Sequence, residues 1–377
     1  MKNILLLALI CIIYSCTDEK IITKEVEKDF SWQSHPQFEY GNGFLLNSYA
    51  SNDFCFFMSN RDIYSLVKEG ENHPYTIFGG VQIIGSYLGI ENSTQLKYPI
   101  SENLIITSSD KGEDYVAIRP IHSPWEQYQS QSSHIDINLK ALDEDYLYVP
   151  TKGRKIGLEH LLNSKDQALL FYKVKPNHLK ALLVDINIEQ NGTSFTASVD
   201  KTKDISFESD YEQHHLYSYN IGDNFLVCPT NEHSYLITPN GEVQLAANKC
   251  FHRLYKYKDF YIAYDSKSVG YISNNEGLSW EHKFEVPDNF YLLNYTTIDN
   301  KLVAFYNSQI FELEWANDFS SVDYRTLDDY GLEGKEITSI VEFDNRVYIS
   351  TLSGVYYRKL EDFFTLKELR EEDQEPA

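Results

Sequence analysis

The chain has 377 residues and a formal net charge of −23 at neutral pH, and aromatic side chains make up 14% of it. That acidic balance argues against nucleic acid as a partner, since its binders carry basic stripes, and against peripheral attachment to anionic lipid. A solvated acidic surface that keeps the protein soluble accounts for the charge. The 29 Tyr and 21 Phe favour pleated, half-buried positions and tilt the fold class toward β.

The first predicted element is an apolar run from Ile4 to Tyr14, preceded by Lys2 and followed by Ser15 and Cys16. A bilayer takes roughly 20 apolar residues, so this shorter run reads as an export signal over residues 1–15. Its ending, Ile-Ile-Tyr-Ser-Cys (12–16), resembles a bacterial lipobox, with Tyr14 bulkier than that motif's usual residue. The resemblance implies a mature chain that starts at Cys16, is acylated there with palmitate-type chains, and is held at the membrane by that lipid. Asp18 and Glu19 resemble the export signals of surface lipoproteins in some Gram-negative bacteria. They imply display at the outer-membrane surface, with a periplasm-facing location as the alternative. Residues 16–35 read as a polar tether.

A polar two-residue turn ahead of a short apolar strand then recurs along the chain. The pairs are Asn52-Asp53, Glu102-Asn103, Glu144-Asp145, Asp223-Asn224, Lys258-Asp259, Asp299-Asn300 and Asp344-Asn345. Asn and Asp suit such turns because they tolerate left-handed backbone and bond to it locally. The runs that follow, such as Phe-Cys-Phe-Phe and Tyr-Leu-Tyr-Val, are β-branched or aromatic and of strand length. The turns recur at intervals of roughly 40–50 residues, the period of propeller blades made of four-stranded sheets. One gap, between Asp145 and Asn224, is about twice that. Within it Val184, Ile186 and Ile188 alternate with polar residues up to Asn191-Gly192, and Phe195, Ala197 and Val199 follow in alternation. That pattern is a hairpin with an Asn-Gly turn, and the gap holds either an extra blade or an insertion.

Three later blades are predicted over Leu254–Phe284, Leu292–Leu327 and Ile337–Leu366. In the second, Glu312 and Glu314 alternate with Phe311, Leu313 and Trp315, which reads as solvent-side alternation. Gly157–Ser164 reads as a helical turn or two in a loop, and the acidic tail from residue 367 as disordered. Short apolar sheets have two faces to bury, and radial stacking covers both while leaving short edges. The expectation is an all-β propeller over residues 36–366, of seven four-stranded antiparallel blades, with six or eight as the alternatives.

Cys55, Cys228 and Cys250 remain beyond the signal and the lipid site. They allow at most one disulfide, and whether Cys228 pairs with Cys250 is left open. No Cys or His spacing fits zinc. His214-His215 with His233 carry no metal pattern, and Asp143-Glu144-Asp145 lacks EF-hand spacing. No metal or cofactor is expected.

Ser273-Asn274-Asn275-Glu276-Gly277-Leu278-Ser279-Trp280 resembles the Asp-box, or BNR repeat, of sialidases, sortilin-like receptors and many extracellular propellers. Short side chains at 273 and 275 bond the turn backbone, Gly277 permits the bend and Trp280 packs into the blade. The resemblance implies a structural role for Ser273, Asn275, Gly277 and Trp280. Ser108–Tyr115 is a worn copy. A sialidase would need three converging arginines; Arg119 in Ile-Arg-Pro-Ile faintly resembles that family's arginine motif but falls after a worn Asp-box instead of ahead of the first blade, and Arg154, Arg253, Arg325 and Arg346 lack supporting motifs. No serine elbow, phosphate loop or His-Glu-x-x-His is present. The leading expectation is therefore a non-enzymatic surface lipoprotein that binds a glycan or protein on one propeller face. A sialidase-like glycoside hydrolase and a structural or protective envelope-complex subunit are the alternatives.

Overall fold

The structure is a computed structural model. It describes residues 31–38, 45–50, 54–59, 63–68, 75–78, 104–109, 111, 114–120, 134–143, 145–147, 161–175, 178–191, 194–208, 216–229, 232–286 and 290–367. The expectations for the signal segment, Cys16, Asp18, Glu19, Arg154, His214-His215 and the tail beyond Lys367 lie outside the described residues. Ser31–Ala377 forms one compact unit.

The chain is an all-β, seven-bladed propeller of antiparallel sheets. In chain order, β1 is Gln33–Ser34. Blade one is β2 (Leu45–Ala50), β3 (Phe54–Ser59), β4 (Ile63–Val67) and β5 (Tyr75–Phe78). Blade two is described through three strands, β6 (Leu104–Ser108), β7 (Tyr115–Pro120) and β8 (Ile135–Asn138). Blade three is β9 (Leu161–Leu162), β10 (Gln167–Lys175), β11 (His178–Asn191) and β12 (Ser194–Glu208). Blade four is β13 (Tyr217–Ile221), β14 (Asn224–Cys228), β15 (Ser234–Ile237) and β16 (Val243–Ala247). Blade five is β17 (Arg253–Tyr257), β18 (Phe260–Tyr264), β19 (Val269–Ser273) and β20 (Glu281–Glu285). Blade six is β21 (Asn294–Ile298), β22 (Lys301–Tyr306), β23 (Gln309–Trp315) and β24 (Val322–Thr326). Blade seven joins β25 (Ile337–Phe343), β26 (Arg346–Thr351) and β27 (Gly354–Lys359) to β1, which pairs with β27.

The first strands of neighbouring blades lie side by side, β9 with β13, β17 with β21, β21 with β25, and β25 with β2. They are therefore the inner strands of the ring. Apolar side chains from facing sheets fuse into cores between successive blades. Ile118 meets Leu182 between blades two and three, Phe171 meets Phe225 between three and four, and Leu226 meets Ala263 between four and five. Tyr264 and Leu302 share the next core, Val303 and Ile349 the one after, and Phe57 and Tyr348 the core between blades seven and one. Each large apolar side chain among them, withdrawn from water, contributes about 1.5–3 kcal/mol, which is why the blade faces at these joints are apolar.

The turn rule holds at Lys258-Asp259, Asp299-Asn300 and Asp344-Asn345, each between the first and second strands of its blade, and fails at Glu144-Asp145. Asp299 and Asn300, and Asp344 and Asn345, all take left-handed backbone angles between the first and second strands of their blades, the geometry of a tight hairpin whose twist matches its strands. Gly222 does the same ahead of Asp223. The long gap holds one blade, whose long hairpin runs in register from His178↔Glu208 to Asn191↔Ser194.

Five expectations need correction. The segment expected as helix contains β9 and a turn, because Asn163 Oδ1 accepts the backbone N–H groups of Lys165 and Gln167 and reverses the chain into β10. Tyr146 and Leu147 are not a strand; Asp143 caps the preceding turn by accepting from Asp145 N. The last blade does not take its fourth strand from the C-terminal residues: Leu360–Phe363 is a helical turn, and the N-terminal β1 fills the place. The ring therefore begins ahead of residue 36, since Trp32, 2% exposed, already belongs to it. Finally, Glu312 is buried rather than solvent-facing, because Arg325 and Lys301 on the two flanking strands of its own sheet cover it in ion pairs, whereas Glu314 is exposed as expected.

Candidate functional site

A four-stranded meander sends its first and third turns to one end of the blade and its second turn, with the link to the next blade, to the other. The first end is built for packing. The third turn of blade five places Gly277 against Ile221 and Leu236 of blade four. Tyr261 Oη accepts from Gly222 N there at 2.8 Å. The third turn of blade six drives Phe319 between Tyr257 and Phe260 of blade five, with ring centroids 6.4 and 5.0 Å away. Pro239 O, in the third turn of blade four, accepts from Gln167 Nε2 of blade three at 2.9 Å. First turns are also tied to one another: Asn163 Nδ2 donates to Asp223 O, and Glu342 accepts from Asp299 N.

The Asp-box-like segment is part of this belt, in the third turn of blade five. Ser273 Oγ accepts from Gly277 N at 2.9 Å, and Asn275 Oδ1 accepts from Ser279 N at 3.0 Å. Trp280 Nε1 donates to Gly277 O at 3.2 Å, and its ring lies 4.6 Å from that of Phe251. Gly277 has φ +82°, in the left-handed region.

The opposite end carries a different kind of cluster. There the inner strands of blades four, five and six begin, with Tyr217, Arg253 and Asn294. Tyr217 pairs in register with Cys228, and Cys228 is disulfide-bonded to Cys250, their Cα atoms 5.5 Å apart. Phe251, fully buried, anchors the next position. His252 N then donates to Tyr264 O at 2.8 Å, which starts blade five. The disulfide thus brings His252 onto Tyr217, and the two rings stack with centroids 4.4 Å apart and planes 21° from parallel.

Arg253 follows. Its Nε donates to Leu293 O at 3.1 Å and its Nη1 to His252 O at 3.3 Å, which fixes the guanidinium beside the stack. Burial pushes the Tyr217 phenol up, although the neighbouring Arg253 charge pulls the other way. Burial likewise raises Tyr295, whose Oη donates to Phe290 O at 2.8 Å. Behind them Tyr255 stacks on Tyr295 at 4.2 Å, shares a 2.6 Å hydrogen bond with Tyr264 and receives one from Trp315 Nε1. The phenols stay neutral in this setting, because burial disfavours the phenolate. The result is a half-buried aromatic and cationic patch on a rigid floor.

Of the sequence candidates among the described residues, the structure brings Arg253 to this patch. Arg325 sits on an outermost strand, held by Glu312 at 2.8 Å. Arg346 lies against the Tyr357 ring beside the first turn of blade seven. Arg119 belongs to β7. Among the described residues these arginines do not converge, and no group of three or more His, Cys, Asp or Glu is placed to hold a metal. Tyr217 and His252 were not singled out from sequence. The available signal was the placement of His252-Arg253 two residues after Cys250, at the start of a predicted inner strand.

No protein-family model matches the chain, and no curated protein matches it in sequence. Among solved structures it is similar to PorZ, an essential bacterial surface component of the type-IX secretion system of Porphyromonas gingivalis. Identity there is 10% and the TM-score 0.45, over 90% of this chain and 39% of PorZ, so the chain spans about two fifths of that protein. It is also similar to BamB from Moraxella catarrhalis, at 11% identity and TM-score 0.44 over 83% of each chain. A third is virginiamycin B lyase from Staphylococcus aureus, at 10% identity and TM-score 0.49, over 87% of this chain and 98% of the lyase. Likenesses at this level carry no functional argument. Among the described residues no helix is long and apolar enough to cross a membrane.

Proposed function

We propose that this chain is an exported, lipid-anchored envelope protein that binds a glycan or protein ligand, without turning it over, at the Tyr217–His252–Arg253 patch. The observation that carries the reading is the asymmetry of the ring. One end is consumed by interlocked turns, while the other holds an aromatic–arginine cluster on a disulfide-braced loop. Tyr and Arg are the side chains that most often carry recognition energy. Export is supported twice, by the lipobox-like ending at Cys16 and by a disulfide, which persists in oxidising compartments. Surface display rests on Asp18 and Glu19 after the cysteine.

The test compares the native chain with a Tyr217→Ala/His252→Ala variant on a glycan array and in pull-downs from the native envelope. Binding by the native chain, lost in the variant at unchanged melting temperature, is the expected outcome. Equal binding by both would remove the patch from the function. Palmitate label retained on Cys16→Ala would remove the anchor.

A further inference from the structure

We infer that β16, the outer strand of blade four, is a docking edge for an extended, uncharged segment of a partner polypeptide. The outermost strand of a blade is hydrogen-bonded on its inner side. Its outer row of backbone N–H and C=O groups is a template for an added strand unless something guards it. The other outer strands of blades three to seven are guarded. β12 carries Asp200, Lys201, Lys203 and Asp204 along its edge, and β20 begins and ends with Glu281 and Glu285. β24 holds Asp323 and Arg325, and Lys367 N donates to Thr326 O at its end. β1 is two residues long, and Trp32 N beside it donates to Tyr330 O. β16 differs from all of these. Its five residues, Val-Gln-Leu-Ala-Ala (243–247), carry no charge, and among the described residues β15 is its one strand partner.

The side chains of that edge add a second observation. The register puts Val243 in line with Ile237 and Phe225, and Leu245 in line with Tyr235 and Val227. Phe225, Val227 and Ile237 belong to the core shared with blade three, so Val243 and Leu245 carry the same apolar face out to the rim. There they are 41% and 52% exposed. Facing them from blade three, Lys203 lies on the same side of β12 as the buried Ile205, and it donates to Asn240 O, just ahead of β16, at 3.0 Å. A strand added to β16 would place alternate side chains beside Val243 and Leu245, and the intervening ones beside Gln244 and Ala246. Covering the two exposed side chains favours branched apolar residues at the first set. Lys203 disfavours a cation there, and the net charge of −23 disfavours an acidic segment. That same charge repels a second copy of this chain. Five edge residues also fall well short of the roughly 1,200–2,000 Å² of a stable interface between folded proteins, whereas main-chain pairing over a short strand is how peptide segments dock.

The test uses the detergent-solubilised full chain and an acetylated Thr-Val-Thr-Val-Thr-Val-Thr peptide with a solubilising tail. Beside it stand two forms of the peptide, N-methylated at the Thr or at the Val positions. The parent peptide should bind and slow hydrogen exchange at the β16 amides. One N-methylated form should bind about tenfold more weakly or worse, since it loses the N–H groups turned toward β16, and the other should bind as the parent does. Leu245→Glu should abolish binding at unchanged melting temperature. Absence of binding by the parent peptide overturns the inference, as does equal affinity for the two N-methylated forms or protection confined to other strands. A dimer of the chain that Leu245→Glu dissociates overturns it in favour of self-pairing. The peptide comparison and the exchange map need no variant, so they decide the matter even if Leu245→Glu does not fold.

Discussion

Trp32→Ala tests the closure of the ring. Trp32 sits just ahead of the two-residue strand that completes blade seven, and is 2% exposed. Its Nε1 donates to Asp328 O at 2.9 Å and its backbone N to Tyr330 O at 3.1 Å. Phe363 meets its ring edge-on at 6.0 Å, and the buried Arg358 lies 5.2 Å above it. Truncating a buried Trp costs about 3–5 kcal/mol, and the lost cation–π contact adds roughly 1 kcal/mol. The expected loss is therefore about 5 kcal/mol, or roughly 7 °C in Tm for a unit of this size. Calorimetry and hydrogen exchange at the β27 amides measure it, with Leu278→Ala, a half-exposed control, expected to cost under about 0.5 kcal/mol. A fall of less than 2 °C or so, with β27 protection unchanged, would refute closure by the N-terminal strand.

Two further perturbations probe other joints. Gly277→Ala puts a side chain on left-handed backbone, costing about 1–2 kcal/mol. Its Cβ would sit 2.9 Å from Ile221 Cδ1 and 3.2 Å from Leu236 Cδ1, adding about 1–3 kcal/mol of overpacking. A urea midpoint equal to that of the parent would show that blades four and five are not locked through this turn. Asp136 tests the acid side. Burial would raise its carboxyl, yet hydrogen bonds from Ser109 and Lys111 and the charges of His134 and Lys111 hold it below the usual range. A depressed carboxyl stabilises the fold above its unfolded pKa, and that contribution is lost as pH falls through the lower folded value. The stability gap between the parent and Asp136→Asn should therefore be widest near neutrality and narrow below about pH 4. A gap independent of pH would contradict the assignment.

The boundaries of blades five, six and seven were legible because these blades repeat one local rule. The predicted second strand of blade five, Phe260–Tyr264, is β18, since Lys258-Asp259 before it marks the bend and both its faces are apolar. What was not legible depended on contacts distant in sequence. Nothing near Trp32 shows that the strand it precedes pairs with Tyr356 and Tyr357. Glu312 reads as solvent-facing by alternation, and only the neighbouring elements show it buried with Arg325 and Lys301. The Tyr217–His252 stack was hidden for the same reason, because its two residues meet only through the register Tyr217↔Cys228 and the Cys228–Cys250 bond.

The position of that bond follows from how a meander distributes its turns. At the end with the first and third turns, tight bends let each blade hook its neighbour, as Phe319 hooks Phe260 and Gly277 meets Ile221. The other end joins one blade to the next, and the link from β16 to β17 runs Asn248 to His252 without a strand partner. Ser234 Oγ, donating to Lys249 O at 2.7 Å, and Cys250 tie that link back to blade four. This bracing holds the start of blade five, with His252 and Arg253, against the start of blade four. Substitutions at Tyr217 and Arg253 should accordingly alter recognition far more than stability, whereas those in the interlocked belt should do the reverse.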